Sequence, residues 1–230
     1  MNALESGIEN KISKRIQIKK IKKNAKKWLL ECNDRTRTYG TLISTVHLKD
    51  LIKLIEDVPK PVKNAIDNLN YTSLVEVMIG LDKPLKHNIS WLYVPSYSDA
   101  RCNRVSFPSY FSPNMTPKGC SSMLVESTCI EGDEVWRKND KVLIDETVRD
   151  LKKIGLIDKQ KVVFSKVNHS IYAYVVYDLD YTKKMEIIYK YFNELGIELC
   201  GRFSEFKYYN MDATMSSALR MADKLNGKVR

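Results

Sequence analysis

The sequence predicts an α+β fold, with α/β elements at the ends of the chain and an antiparallel sheet in its middle. Apolar residues recur at helical spacing near both ends, and from Ser73 to Thr128 they alternate with a period of two. Helix and strand patterns alternate again after residue 181. The 230 residues are 43% hydrophobic and 29% charged, which is enough for one large or two small globular domains.

The N-terminal elements read as a helix, a strand pair, a buried strand and a second helix. In chain order they cover 2–12, 15–21 with 27–32, 41–46 and 48–55. Leu4, Ile8 and Ile12 form the apolar stripe of the first helix. We expect Pro59 and Pro61 to end the second helix, because proline lacks an amide proton and clashes with the preceding turn.

The middle and C-terminal segments complete the prediction. Four candidate strands of the antiparallel sheet are separated by turn residues, and they cover 74–81, 89–94, 104–107 and 122–126. A helix over 141–154 and a strand over 161–167 follow. The chain then closes with a helix over 181–194, a strand over 197–200 and a helix over 212–225.

The basic charge is concentrated in one short run. Lysine and arginine number 38 against 28 acidic residues, a formal charge of +10, and residues 11–27 hold nine of them and no acid. The other 213 residues therefore carry only +1. The run indicates the solvated faces of a hairpin, where lysines on an edge strand also discourage aggregation. A weak contact with an anionic surface or nucleic acid stays open as the alternative.

Composition argues against several other classes of protein. No apolar run approaches the ~20 residues of a membrane-spanning helix, and no secretory signal is visible, so we expect a cytoplasmic protein without a membrane span. The five cysteines are odd in number and widely spaced, and only three histidines are present. A metal site is therefore not predicted.

The stretch from Cys200 to Asp212 carries the most chemical information. Gly201 at a strand end would let the backbone approach another group closely, and Arg202 offers a planar fork of donors suited to phosphate. Asn210 or Asp212 would cap a helix whose free amides form a partial positive pole. Together these features make an anion or cofactor site plausible, although a glycine at a strand end and a capped helix are also common structural features.

This stretch resembles the C-terminal signature of flavin-dependent oxidoreductases of the amine-oxidase type, in the form found in UDP-galactopyranose mutases and protoporphyrinogen-oxidase-like proteins. Other segments resemble that group in the same order. They are Met1–Leu4, Tyr39–Val46, Trp91–Pro95 with Arg104, Ser109–Pro113, Ser121–Glu126 and Ala173–Val175. The chain departs from the pattern at His47 and Val175, where the family has proline. It also contains no Gly-x-Gly-x-x-Gly, the fingerprint of the dinucleotide-binding unit.

The resemblance therefore implies the C-terminal half of such a flavoprotein. It implies an antiparallel substrate-domain sheet with helices, together with the C-terminal part of a Rossmann-like FAD domain. Residues 1–46 and 177–230 would be the remnant of the FAD-binding domain, and 47–176 a substrate-binding-like domain.

The resemblance also implies roles for individual residues. Gly201, Arg202, Asn210, Met211 and Asp212 would face FAD. On the substrate side, the resemblance implies that Arg104, Tyr174 and Tyr208 contact the substrate. Tyr208 matches the tyrosine that contacts substrate phosphate in mutases. Packing at a domain seam remains open for Tyr208, and a surface charge remains open for Arg104. No catalytic side chain is assigned, because in flavin enzymes the cofactor performs the chemical step.

Three functions follow as hypotheses. In the first, the chain is part of a flavin-dependent oxidoreductase or mutase, acts on a small molecule, and is inactive and binds FAD weakly or not at all without an N-terminal FAD-binding half. In the second, it is a non-catalytic binding or oligomerisation module, for example a homodimer built on the same scaffold. In the third, the 11–27 run binds nucleic acid, which the local concentration of charge argues against.

Overall fold

The computed structural model describes residues 5–227, so the predicted features at Met1–Leu4 lie outside the described residues. The chain divides into two compact units. We call the first the terminal unit, because it contains the chain up to Asn70 and again from Tyr177 onward. The second is the sheet unit, Tyr71–Val176. Of the predicted helix over 2–12, the described part forms a 3-10 helix at Glu9–Lys11.

The described residues form ten strands and five α-helices. The strands are β1 Ile18–Asn24, β2 Lys27–Cys32, β3 Thr36–Tyr39, β4 Leu42–Ser44, β5 Asn70–Leu81, β6 Trp91–Tyr93, β7 Arg104–Ser106, β8 Ser121–Cys129, β9 Val162–Val176 and β10 Ile197–Leu199. The helices are α1 Leu48–Leu51, α2 Lys60–Asp67, α3 Asp140–Lys153, α4 Tyr181–Leu195 and α5 Met211–Leu225. Further 3-10 helices span Ile52–Leu54, Pro108–Tyr110 and Pro113–Met115. The mixed, largely antiparallel architecture confirms the α+β prediction.

Two small sheets organise the terminal unit. Strands β1, β2 and β3 form an antiparallel sheet whose turn at Ala25 is the predicted hairpin connection. Strands β4 and β10 form a two-stranded parallel sheet, with Ile43 opposite Glu198. A parallel pair needs a long crossover, and here the whole sheet unit lies between the two strands in sequence. The start and the end of the chain therefore meet in one unit.

The prolines after α1 have a second effect that the sequence analysis missed. Pro59 occupies the N-cap position of α2, and Pro61 lies in its first turn. An amide proton has no helical partner there, so the prolines start a helix at the point where they were expected only to end one.

Helix α2 also moves the expected domain boundary. It packs against α4 and buries Val62, Ala65 and Ile66 on one side. Because that apolar side is covered by an element of the terminal unit, residues 47–70 belong to this unit in the structure. The sequence analysis had grouped them with 71–176.

The sheet unit is built on five strands in the order β6-β7-β8-β5-β9. The pairs β6–β7, β7–β8 and β8–β5 are antiparallel. On β5, Val75, Val77 and Ile79 are buried in the core, and α3 packs against β9. The alternate residues of β5 point to the other side, which we call the open face. The register pairs Glu76 with Glu126, Met78 with Leu124 and Gly80 with Ser122 along this face.

His47 shows how the terminal unit fixes the start of α1. It is the N-cap residue, and its Nδ1 accepts a hydrogen bond from the Lys49 amide at 3.3 Å. Its ring lies edge-on to Phe206, with centroids 5.5 Å apart, and the side chain is buried. Burial lowers the pKa of His47 to about 4, because the charged imidazolium would lose its hydration.

We predict that this histidine makes the terminal unit acid-sensitive. Between pH 6.5 and about 4 the unfolded chain binds a proton at His47 while the folded protein does not, so the free energy of unfolding falls as the pH falls through that window. The variant His47→Asn keeps a capping acceptor but cannot titrate. Urea denaturation across pH 4–8 should show the wild type losing about 2 kcal/mol relative to His47→Asn on acidification.

The variant His47→Ala serves as the control. It removes the cap, so its free energy of unfolding should be about 1 kcal/mol lower than that of His47→Asn. This difference should be the same at every pH, because neither variant titrates at position 47. If the free energy of unfolding changed with pH in the same way in wild type and His47→Asn, the lowered pKa of His47 would be contradicted.

Candidate functional site

All five residues expected to face a cofactor lie within residues 200–212, which comprise the connection after β10 and the first two residues of α5. The Cys200 amide donates to the Ser44 carbonyl at 3.0 Å, which extends the pairing of β10 with β4. The next residue, Gly201, is buried and has φ +85°, a conformation that side-chain-bearing residues rarely adopt. The glycine predicted from sequence is therefore required by the turn that leaves the strand.

The Glu205 carboxylate ties this connection together. Its Oε1 accepts hydrogen bonds from the Gly201 amide at 2.9 Å and from the Ser217 hydroxyl of α5. Its Oε2 accepts one from the Tyr209 hydroxyl at 3.0 Å. Burial opposes ionisation, but the three donors outweigh it and hold the pKa of Glu205 below its usual value. An ionised carboxylate thus joins the strand end, the loop and the helix.

Two tyrosine hydroxyls of helix α4 donate hydrogen bonds to backbone carbonyls of the same loop. The Tyr189 hydroxyl donates to the Glu205 carbonyl at 2.7 Å, and the Tyr181 hydroxyl donates to the Phe206 carbonyl at 2.8 Å. Phe206 is fully buried and has φ +50°, a strained conformation for a bulky residue. Two tyrosines from one helix stabilise the strained point of the loop, and the sequence analysis identified neither.

Arg202 is placed by the loop beside Tyr208. Its Nη1 donates to the Tyr209 carbonyl at 2.7 Å, and its guanidinium carbon lies 5.0 Å from the centroid of the Tyr208 ring. The Tyr208 amide donates a hydrogen bond to the Tyr177 hydroxyl at 2.7 Å. The Tyr208 ring is 48% exposed. The structure therefore brings two of the predicted ligand-binding residues together.

The start of α5 is open to solvent. Asn210 is the N-cap residue by position, but its side chain makes no capping hydrogen bond, so the prediction of a side-chain cap at this residue is wrong. Asn210, Met211 and Asp212 are exposed, and Met211 is 80% exposed. The first amides of a helix have no partner within it, and they form its positive end. This end of α5 can therefore accept an anionic or electron-rich group.

The predicted substrate-side residues of the sheet unit also come together. Arg104 forms a bidentate ion pair with the buried Glu126, through Nε to Oε2 and through Nη2 to Oε1 at 2.6 Å. Its Nη2 also donates to the Tyr174 hydroxyl at 3.3 Å. The hydrogen bonds to Glu126 raise the pKa of Arg104 above its usual value. Arg104 is thus no isolated surface charge, and Glu126 is the partner that the sequence analysis missed.

The basic run at the N-terminus is partly neutralised in the fold. Lys22 pairs with Glu31 at 2.7 Å, and Lys20 pairs with Glu56. Lys23 donates to the Leu195 carbonyl at 2.5 Å and lies 5.3 Å from the Trp28 ring centroid. These contacts favour the interpretation as solvated hairpin faces over nucleic-acid binding.

Residues 5–227 contain neither a candidate metal site nor a helix that could span a membrane. No three histidine, cysteine, aspartate or glutamate side chains in this range are grouped so that they could hold a metal ion. None of the helices in the same range is both long enough and apolar enough to cross a membrane.

The residues around the start of α5 suit one end of FAD better than the other. The open start of α5 and the neighbouring Arg202 fit the electron-rich ring end of a flavin, because amides and a guanidinium are donors. The other end of FAD carries the pyrophosphate and adenosine, which bind at a glycine-rich turn between a strand and a helix. The nine glycines include no Gly-x-Gly pair. The chain therefore fits one end of FAD and lacks the elements for the other.

Comparison with known proteins gives a family match over nearly the whole chain. The sequence profile described as "Flavin containing amine oxidoreductase" matches residues 2–226. A search of curated proteins found no match.

Solved structures share the fold at low sequence identity. A reduced UDP-galactopyranose mutase is 18% identical with a TM-score of 0.85, over 98% of this chain and 50% of that one. A putative protoporphyrinogen oxidase from Exiguobacterium sp. 255-15 is 14% identical with a TM-score of 0.73, over 91% and 46%. A fatty acid isomerase from P. acnes is 13% identical with a TM-score of 0.66, over 96% and 50%. The chain thus spans about half the length of the structures it matches.

We predict that Glu205 controls the order of the whole connection. The variant Glu205→Gln replaces an acceptor with an amide donor that faces other donors, which should lower the free energy of unfolding by about 1–3 kcal/mol. Hydrogen exchange should accelerate at the Gly201 amide, because that amide loses its carboxylate partner.

Glu198→Gln is the matched control, since this exposed ion pair of β10 with Lys224 of α5 contributes little. Unchanged exchange at Gly201 in Glu205→Gln would show that the carboxylate is not the organising group.

Proposed function

Because the chain belongs to the flavin containing amine oxidoreductase family, we propose that it is the part of such an enzyme that carries the substrate-side sheet and the flavin-facing start of α5. The observation that carries the proposal is the open N-terminus of α5 beside Arg202, which is held in place by Glu205. In this proposal the terminal unit is the remnant of an FAD-binding domain, and the sheet unit binds substrate.

The residues of α5 and its loop would act on the cofactor by electrostatics. Bound FAD would supply the redox or nucleophilic chemistry of the enzyme. The amides of Met211 and Asp212 would stabilise negative charge at the pyrimidine edge of the flavin, because they lie at the positive end of the helix. Arg202 would add a fixed positive charge close to both flavin and substrate, and Gly201 would shape the turn.

Substrate contacts are proposed for Arg104, Tyr174 and Tyr208. Arg104 and Tyr174 are linked by a hydrogen bond and backed by Glu126, which supports a preformed polar site for a small molecule. The similar structures bear the names of a mutase, an oxidase and an isomerase. One fold therefore serves several reactions, and the reaction here would be set by details of the pocket.

We propose that complete activity requires a partner, which would be the dinucleotide-binding half of the enzyme. Met211, Met215 and Leu219 lie at helical spacing on α5 and are 80%, 53% and 68% exposed. Parallel sheets are usually covered on both faces, yet Ile43 of the parallel β4–β10 pair is also exposed. These apolar surfaces support the binding of a dinucleotide-binding half. The chain by itself would bind FAD weakly and be inactive.

The same α5 stripe favours a second candidate, a non-catalytic module that dimerises. Two copies would cover Met211, Met215 and Leu219 with each other's stripe, since an exposed apolar patch often marks an interface. For either candidate we propose a reducing cytoplasmic location, which the five free cysteines support.

The flavin proposal predicts a weak but localised contact with FMN. Protein labelled with ¹³C at its methionine methyl groups should show chemical-shift changes at Met211 when FMN is added in the millimolar range. Met123 of the sheet-unit core should not respond. The variant Arg202→Ala should weaken the response by about tenfold, because it removes a charge-assisted contact.

Arg220→Ala is the matched control. It removes an exposed arginine from the same helix, where the Arg220 Nη1 donates to the Ser216 hydroxyl at 2.7 Å, so FMN binding should be retained. Absence of any response at Met211, or an equal loss in both arginine variants, would contradict the proposal.

A further inference from the structure

His87 lies in the loop between β5 and β6 of the sheet unit, where aromatic rings surround its side chain. Its ring meets the buried Phe107 edge-on, with centroids 4.3 Å apart, and lies 5.9 Å from the ring of Tyr110. The Tyr110 hydroxyl also donates a hydrogen bond to the His87 carbonyl. Both the ring and the backbone of this histidine therefore contact the segment that follows β7.

The ring nitrogens of His87 are buried in an unfavourable position. Neither of them has a hydrogen-bond partner among residues 5–227. A neutral imidazole has one N–H donor and one acceptor, so both groups lose their hydration here without compensation. The ring would recover this hydration if it moved into water, and only its packing against the two aromatic rings opposes that movement.

Protonation shifts this balance against the packed position. The imidazolium has two N–H donors and a full charge, and neither nitrogen faces an acceptor. Burial lowers the pKa of His87 below its ordinary value, because the charged form cannot be hydrated in the packed position. The neutral ring is therefore compatible with the packed position, and the charged ring favours water.

Neighbouring groups do not offset the cost of the charge. From the segment after β7, Phe107 is apolar, and the titratable Tyr110 directs its hydroxyl hydrogen to the His87 carbonyl. Along the loop itself, the charge of Lys86 is matched by Asp158 at 2.6 Å. Burial is accordingly the one cause of the lowered pKa of His87, and no carboxylate contributes to it.

The segment that contacts His87 forms one wall of the apolar cavity on the open face. The wall residues from this segment are Pro108, Met115, Thr116 and Pro117. Two short 3-10 helices, Pro108–Tyr110 and Pro113–Met115, make up most of the segment. Short elements with few buried contacts open more readily than core strands. Loss of the packing between His87 and Tyr110 would therefore loosen this wall.

We propose that His87 is a pH-sensitive switch for this wall. The neutral ring holds segment 108–117 on the sheet unit, and on protonation the ring moves into water and the segment opens. His87 and Tyr110 belong neither to the Arg104–Tyr174 pair nor to the connection before α5, so the switch stands or falls independently of the proposed function.

Hydrogen exchange of the full chain measures this opening. The Tyr110 and Phe111 amides donate to the carbonyls of Phe107 and Pro108 at 3.0 Å, so their exchange reports on the segment. After correction for the intrinsic exchange rate, their opening constants should rise about threefold to tenfold from pH 7.5 to 5.5. The reason is that the open form binds a proton at the ordinary pKa of histidine and the closed form at a lower one. The Val125 amide, in the core of β8, should show no such rise.

Variants at two histidines separate the switch from a general effect of acid. His87→Phe keeps an aromatic ring that cannot be charged, so the opening constants should no longer depend on pH. His87→Leu keeps the test valid if the larger ring disturbs the packing. His169→Phe is the matched control, because His169 lies in the same unit and edge-on to Trp136, with centroids 4.8 Å apart. It should retain the pH dependence of the wild type.

Three results would overturn the proposal. The first is an opening constant at Tyr110 and Phe111 that does not change with pH in the wild type, and the second is an unaltered pH dependence in both His87 variants. The third is an equal rise at Val125, which would show that acid unfolds the whole sheet unit and that the segment does not open by itself.

Discussion

The partly buried Glu205 carboxylate makes the hydrogen bonds on which the candidate site depends. It accepts from the Gly201 amide, the Ser217 hydroxyl and the Tyr209 hydroxyl, so one charge links β10, the loop and α5. The Tyr209 carbonyl in turn accepts from Arg202. Because a partly buried charge with several hydrogen-bond donors resists rearrangement, the guanidinium and the helix start are held in one arrangement before any ligand arrives.

Local sequence patterns predicted most of the elements, and the misses have physical causes. Helix α4 and strand β8 were found because their apolar residues follow the expected periods. Strand β3, Thr36–Tyr39, was missed because it is a polar edge strand recognisable only by its pairing with β2. Strand β9 runs on to Val176, past the predicted end at 167, because pairing within the sheet outweighs the polar Asn168 and His169.

Prediction of the site was limited in a different way. Residue types with obvious chemistry, such as Arg202 and Gly201, stand out in the sequence, but their partners are chosen by tertiary structure. Ser217 and Glu126 carry no local signal, yet the first holds Glu205 and the second holds Arg104.

In the proposed function, this chain contacts the ring end of a flavin and lacks a site for the adenosine and pyrophosphate. The most direct measurement compares the dissociation constants of FAD, FMN and riboflavin for the isolated chain, by quenching of flavin fluorescence. We predict weak binding, with FAD and FMN within about threefold of each other, because the adenylate adds no contacts. FAD bound about a hundredfold more tightly than FMN, or a purified chain that is stoichiometrically yellow, would contradict the account.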